Sequence, residues 1–257
     1  MAMLQEIRKA FGVQKEHRKH RAIKALIADL RPVTPDRALV RYGPDADGGY
    51  LIPDDLEEIG GSISPGVSTE CGFDMEIAQR GIPVYMADAS VTDAPVSHRN
   101  FNFSKLFLDT YNSDATIRID DYCEPVAPGK DLLLQMDIEG AEFRVLNSAT
   151  DAVLSRFRIM VIEFHDLDGL FTPFGLREIS SLFRRLLRTH AVVHIHPNNC
   201  TPPVTVGSIT IPKVMEFTFY RRDRATFRPE KTTFPHRLDR PNLTDRPDFV
   251  LPPMWYH

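Results

Sequence analysis

Apolar positions along the chain change period in a way that separates helices from strands. In residues 14–30, Ile23, Leu26, Ile27 and Leu30 recur at helical spacing beside a basic face, and Pro32 and Pro35 stop the pattern. The spacing predicts a leading helix packed on the body. A clearer stripe, Leu176, Ile179, Leu182, Phe183, Leu186 and Leu187, predicts an amphipathic helix over residues 175–189. Short apolar runs bounded by turn residues predict strands over 62–65, 84–88, 116–119, 132–137, 158–164, 191–196 and 214–220. Helices are expected between most of them, over 73–80, 103–110 and 141–155 as well as 175–189. Strand and helix in alternation imply an α/β fold with a doubly wound, mostly parallel seven-stranded sheet. Residues 205–211 and 214–220, joined at Pro212-Lys213, predict an antiparallel edge strand to that sheet.

Beyond Arg221 the chain turns rich in Pro and Arg, which predicts an extended segment wrapped on the body and pinned by Phe234, Leu238, Phe249, Leu251 and Trp255. The expected organisation is a helical extension over 1–39, a main domain over 40–220 and this segment over 221–257. A length of 257 residues with 42% hydrophobic content is enough for one sizeable core. Cys71, Cys123 and Cys200 form no CxxC pair, which argues against a disulfide framework or a zinc knuckle and suits a reducing, cytoplasmic setting. No apolar run approaches the ~20 residues of a membrane span.

Charge is unevenly spread. Residues 1–32 carry +5 and residues 221–257 carry +3, so a net charge of −4 leaves −12 on the body. An acidic body argues against nucleic acid as a partner, because phosphate binding draws on clustered Lys and Arg. A small-molecule or glycan partner is the better expectation; oligomeric state is not legible.

The most informative stretch is 131–142, where the apolar run Leu132-Leu133-Leu134 leads into Gln135-Met136-Asp137-Ile138-Glu139-Gly140-Ala141-Glu142. Such a strand is buried on both faces, and Gly140 permits a tight turn into the next helix. Asp137 then stands at the carboxyl end of a central strand, where open α/β sheets bind ligands. The plainer alternative is that Asp137 or Glu139 caps that helix, and for Glu142 capping is the better reading. The first strand-to-helix turn places Gly66 directly after its strand, and Asp88 follows about twenty residues on, a spacing that suits a ribose contact. The GxGxxG fingerprint is absent, which weighs against a nicotinamide or flavin cofactor. Residues 41–52 form a turn-rich loop whose adjacent Gly48 and Gly49 suit close approach to a ligand or an ordinary hairpin. Further on, Glu163 and His165 share a strand face, as do His194 and His196, with Asn198 and Asn199 just beyond. All should converge with Asp137 on one cleft.

Together, residues 42–50, 66–74, the Asp88 strand, Ile119-Asp120-Asp121 and the 136–142 run resemble the FkbM-type methyltransferases over roughly residues 40–220. The resemblance implies a class I methyltransferase-like fold, dependence on S-adenosylmethionine, and O-methylation of a carbohydrate-like or polyhydroxylated acceptor. It implies that Gly66 and Ser68 lie near the methionine moiety, that Asp88 binds the ribose, and that Asp120 or Asp121 lies near the adenine. Tyr42, Asp47, Gly48, Gly49, Ala89, Ser90 and Asp137 complete the implied cofactor contacts. The first turn departs from the family, since Pro65-Gly66-Val67-Ser68-Thr69-Glu70 replaces a loop richer in glycine and alanine.

Methyl transfer to a hydroxyl needs a group to take its proton, and His165 or His196 is favoured, with Asp137, Glu163 and Asn198 beside them. The same Asp, Glu and His set could also hold a divalent cation, although His ligands are unusual for magnesium. Two rivals stand: a metal-dependent hydrolase built on that set, and a non-catalytic binding module.

Overall fold

A computed structural model describes residues 2–229 and 233–257, with the backbone alone for residues 2–13 and Lys15. Seven strands form the central sheet: β1 (Gly61–Pro65), β2 (Val84–Ala87), β3 (Phe101–Ser104), β4 (Leu132–Met136), β5 (Phe157–Phe164), β6 (His190–Pro197) and β7 (Met215–Arg221). Their order is β6-β7-β5-β4-β1-β2-β3. β1 to β5 run parallel, and β7 is antiparallel to both β5 and β6.

The period of two feeds separate cores on the two faces of this sheet. Leu132, Leu134, Met136, Met160, Ile162, Phe164, Phe217 and Phe219 enter one core, while Leu133, Ile159, Val161 and Tyr220 enter the other. Helices α1 (Ala2–Asp29), α2 (Gly72–Gln79), α3 (Ile119–Cys123), α4 (Glu142–Ser148), α5 (Asp151–Arg156) and α6 (Pro173–Leu186) cover the sheet. In α6, Thr172 caps the amino terminus by accepting from the Gly175 N–H at 3.0 Å, Pro173 opens the helix, and Ile179, Leu182, Phe183 and Leu186 are buried. Ile23, Leu26, Ile27 and Leu30 are all buried in the first core, as are Phe234, Leu251 and Trp255 from the other end of the chain. No described helix is long and apolar enough to cross a membrane.

Four expectations are corrected. The antiparallel strand is not at the edge: β7 lies between β5 and β6. Residues Val204–Val206 and Ile209–Ile211 do not pair with it but form a two-stranded sheet of their own. The third strand of the parallel series is Phe101–Ser104, in which Phe101 and Phe103 point to one core, and no helix spans 103–110. Thr116–Ile117 instead pairs with Phe107–Leu108 outside the sheet. Finally, residues 141–155 make two helices, because Ala149 is extended and Thr150 caps a new start through its hydroxyl and the Val153 N–H.

Candidate active site

The carboxyl ends of β1, β2 and β4 meet at one point. Gly66 takes φ +87°, and a Cβ there would come within 1.6 Å of the Asp137 carbonyl oxygen, so only glycine lets the first turn lie against the end of β4. Three non-glycine residues around this point share the left-handed region: Ser68, Glu139 and Asp166. Backbone held in such conformations concentrates at functional sites. Ser68 uses its position to donate its N–H to Asp88 Oδ2 at 2.8 Å, while the N–H and hydroxyl of Ser90 reach Asp88 Oδ1 at 2.7 and 2.6 Å.

These turns enclose a cavity of about 550 Å³. That volume suits a small-molecule or cofactor site. Its walls include Asp47, Gly48, Gly66, Ser68, Asp88, Ser90 and Asp137, all expected from the sequence. They also include residues not expected there from the sequence: Tyr50, Glu70, Asp74, Phe107, Leu108, Gln135, Glu139 and Arg144. Gln135 carried a signal, as a polar residue inside an apolar strand. Its amide oxygen accepts from Ser64 Oγ at 2.7 Å and its nitrogen reaches the Tyr50 hydroxyl at 3.4 Å.

Other expected cofactor residues lie elsewhere. Tyr42 is buried edge-on against Phe73 with the Arg80 guanidinium over its ring, and Gly49 is packed against Arg41 and Pro44. Neither lines the cavity, nor does Ala89. Asp120 accepts from the backbone N–H and hydroxyl of Thr150, and Asp121 accepts from Asn112, so both serve local turns instead of the cavity.

Next to Asp137, and not itself part of the cavity wall, lies an imidazole ringed by carboxylates. His165 Nε2 stands 3.9 Å from Asp137 Oδ1, 3.6 Å from Glu163 Oε1 and 3.5 Å from Glu139 Oε2. Its Nδ1 lies 3.3 Å from Glu142 Oε1, which also accepts from the N–H groups of Ile138 and Gly140. Glu142 therefore ties the β4 loop to His165 and does more than cap its helix. Asn198 joins the cluster by donating its amide to Glu163 at 3.2 and 3.3 Å. His196 does not join it. Its ring nitrogens face Glu216 at 3.5 Å and Asp248 at 3.0 Å, and Asn199 donates to backbone carbonyls of Leu243, Arg246 and Pro247. His194 likewise turns to Asp239, at 2.9 Å.

The electrostatics follow from this crowding. Burial pushes the Asp137 carboxyl up to about 7, with His165 pulling against it and Glu139 and Glu142 adding to it. Glu163 is raised well above the ordinary carboxylate range by burial and by Asp137 and Glu216. Burial would lower His165, but its hydrogen bond to Glu142 and the acids around it win, and its pKa rises. Glu142 goes the other way: burial is outweighed by His165 and the backbone N–H groups, which hold it below the usual range. Tyr50 is raised by burial and by the Glu163 and Asp137 charges.

Residues 78–189 match the family profile described as the methyltransferase FkbM domain. Over that stretch, less than half of the chain, the protein is similar to the FkbM methyltransferases. The matched region runs from α2 to the start of β6 and holds Asp88, Asp137, Glu139, Glu142, Glu163 and His165, whereas Gly66 and Asp47 precede it. The matched stretch lies within the seven-stranded, mostly parallel sheet. A solved methyltransferase FkbM from Methylobacillus flagellatus KT is similar over 62% of this chain, at 12% identity and a TM-score of 0.36. The chain spans 44% of that protein, less than half its length. No curated protein sequence matches the chain.

Proposed function

We propose that this chain is an S-adenosylmethionine-dependent O-methyltransferase acting on a hydroxyl of a carbohydrate-like or polyhydroxylated acceptor. One observation carries the reading: the cavity beside the stretch similar to FkbM methyltransferases is walled by Asp47, Glu70, Asp74, Asp88, Asp137 and Glu139. Arg144 is the cation of that wall, and its guanidinium is taken by Asp109 at 3.2 and 3.4 Å. An acidic cavity favours a cofactor with a sulfonium charge. When bound, S-adenosylmethionine supplies an electrophilic methyl group.

The residues fit that cofactor. A carboxylate offers about four lone-pair sites, and Asp88 has given one to Ser68 and two to Ser90, which leaves a place on Oδ2 for one ribose hydroxyl. Gly66 and Ser68 would border the methionine moiety, and Phe107 and Leu108 offer an apolar wall for the adenine. At the other end, Asp137 and Glu139 receive the acceptor hydroxyl, and Asp137, at about 7, is matched to taking its proton near neutral pH. Residues 40–220 would form the catalytic unit, with residues 1–39 and 221–257 as flanks packed on it. The free thiols of Cys71, Cys123 and Cys200 fit a reducing, cytoplasmic setting.

Calorimetric titration in the presence of a chelator tests the reading. S-adenosylmethionine and S-adenosylhomocysteine should bind in the micromolar range, roughly −8 kcal/mol. Asp88→Ala should weaken both by about tenfold to a hundredfold, the worth of a hydrogen bond to a charged group. Absence of binding at ~1 mM cofactor overturns the proposal.

A further inference from the structure

We propose that His165, Asp137, Glu163 and Glu139 form a binding site for a divalent transition-metal ion at the acceptor end of the cavity. The inference rests on the methyltransferase reading for its purpose, though not for its geometry. A metal bound at ~2.0–2.2 Å by nitrogen and oxygen ligands holds those ligand atoms about 3–4 Å from one another. His165 Nε2 lies 3.5, 3.6 and 3.9 Å from single oxygens of Glu139, Glu163 and Asp137, a spacing too wide for good hydrogen bonds and suited to an ion between them.

The orientation of the ring points the same way. Glu142 Oε1 faces Nδ1 at 3.3 Å and is itself fixed by the N–H groups of Ile138 and Gly140. A proton held on Nδ1 by that carboxylate leaves the Nε2 lone pair directed at the three acids, which is how metal-binding histidines are commonly set. Among the described residues Asp137, Glu142 and His165 bring ligand atoms all within 4.8 Å of one another, so Asp137 and His165 are the preset ligands, and Glu163 and Glu139, close to Nε2 alone, would draw in on the ion. Two buried carboxylate oxygens here, Asp137 Oδ1 and Glu142 Oε2, have no hydrogen-bond partner among the described residues, and the Glu142 side chain is fully buried. Buried polar atoms normally have partners.

Charge bookkeeping gives the third argument. Four carboxylates meet one imidazole, and among the described residues no Lys or Arg pairs with any of the four. Glu163 also faces Glu216 directly across the β5–β7 pair, and Glu216 has His196 for itself. Like charges placed so are costly without a cation.

One imidazole with carboxylates suits Mn²⁺ better than Mg²⁺, which prefers oxygen throughout. An acceptor hydroxyl coordinated to the ion gives up its proton more readily. The ion takes Asp137 Oδ1, the second Asp137 oxygen takes the proton, and the acceptor oxygen bonds to the methyl carbon as the C–S bond breaks to leave S-adenosylhomocysteine.

Mn²⁺ binding to the full chain, followed by loss of the free-ion electron paramagnetic resonance signal and by calorimetry, tests the site. One equivalent should bind, with affinity lost at least about tenfold in His165→Ala and in Glu163→Gln, and about 10- to 100-fold in Glu142→Gln, whose role is positioning. Glu163→Gln should also melt higher than the wild type in chelator while losing the Mn²⁺-induced rise in Tm, so misfolding cannot mimic the result. No binding at ~1 mM Mn²⁺, or unchanged binding in His165→Ala, overturns the site. Cofactor binding in chelator reads the methyltransferase proposal separately: cofactor without Mn²⁺ defeats the metal site alone, and Mn²⁺ without cofactor defeats the methyltransferase reading alone.

Discussion

His165 and His196 both stand at carboxyl ends of sheet strands and both are ringed by acids, yet they solve opposite problems. His196 sits between Glu216 and Asp248, with both ring nitrogens engaged and 2% of its side chain exposed. It faces both buried Glu216 and half-buried Asp248 as their cation, and it pins the C-terminal segment to the sheet. Only Nδ1 of His165 has a committed partner, and its other nitrogen faces three acids that outnumber it. The difference teaches that a histidine among carboxylates is structural when charges balance and available for chemistry when they do not.

The largest expected effect breaks or upholds that contrast directly. His196→Ala should cost about 3–5 kcal/mol of stability in denaturant melts, because buried Glu216 keeps only the Asn242 amide and loses its counter-charge, while His165→Ala should cost less, because Glu142 keeps the N–H groups of Ile138 and Gly140. Equal losses would erase the distinction. A third buried histidine sharpens it from the acid side. His190 Nε2 donates to Phe157 O, its Nδ1 meets the Thr189 hydroxyl, and burial holds it down to about 4. A depressed histidine binds its proton only in the unfolded chain, so its stabilising contribution is full above 6.5 and is lost as pH falls through about 4. The wild type should lose about 3 kcal/mol over that window, and His190→Gln should flatten the loss. The smallest effect is alkaline. His196 is raised well above 6.5 because Glu216, Asp248 and Asp239 outweigh its burial. Its contribution is therefore whole below 6.5 and fades as pH climbs through the raised value. Asp248→Asn should cost about 1.5–3 kcal/mol near pH 6 and progressively less in alkaline melts.

Periodicity made most of the sheet legible, because strands buried on both faces leave continuous apolar runs such as Leu132 to Met136 and Phe157 to Phe164. It failed at Phe101–Ser104, where two aromatics alternating with polar residues are too short to stand out from a helical pattern. It failed again at β7, since local pattern says that a strand exists but not between which neighbours it lies. Asp137, Glu163 and His165 came together as expected, because their strands are adjacent and period two aligns their faces. His196 obeyed the same rule on β6 yet was claimed by Asp248, a partner 52 residues away that no local spacing announces. The role of Glu142 was hidden for a related reason, since only the folded loop shows its oxygen pointing back to Ile138, Gly140 and His165.

The position of β7 has a consequence for how the protein is made. Synthesis delivers β5 and β6 well before Met215–Arg221, yet those two strands are joined only through β7. A nascent chain therefore carries two open strand edges until the ribosome has passed Arg221, and such edges recruit other chains. Because Trp255 and Leu251 also enter the core that holds Ile23 and Leu26, that core closes only when these two distant segments meet. Loss of Leu251 and Trp255 should be felt first around Ile23 and Leu26.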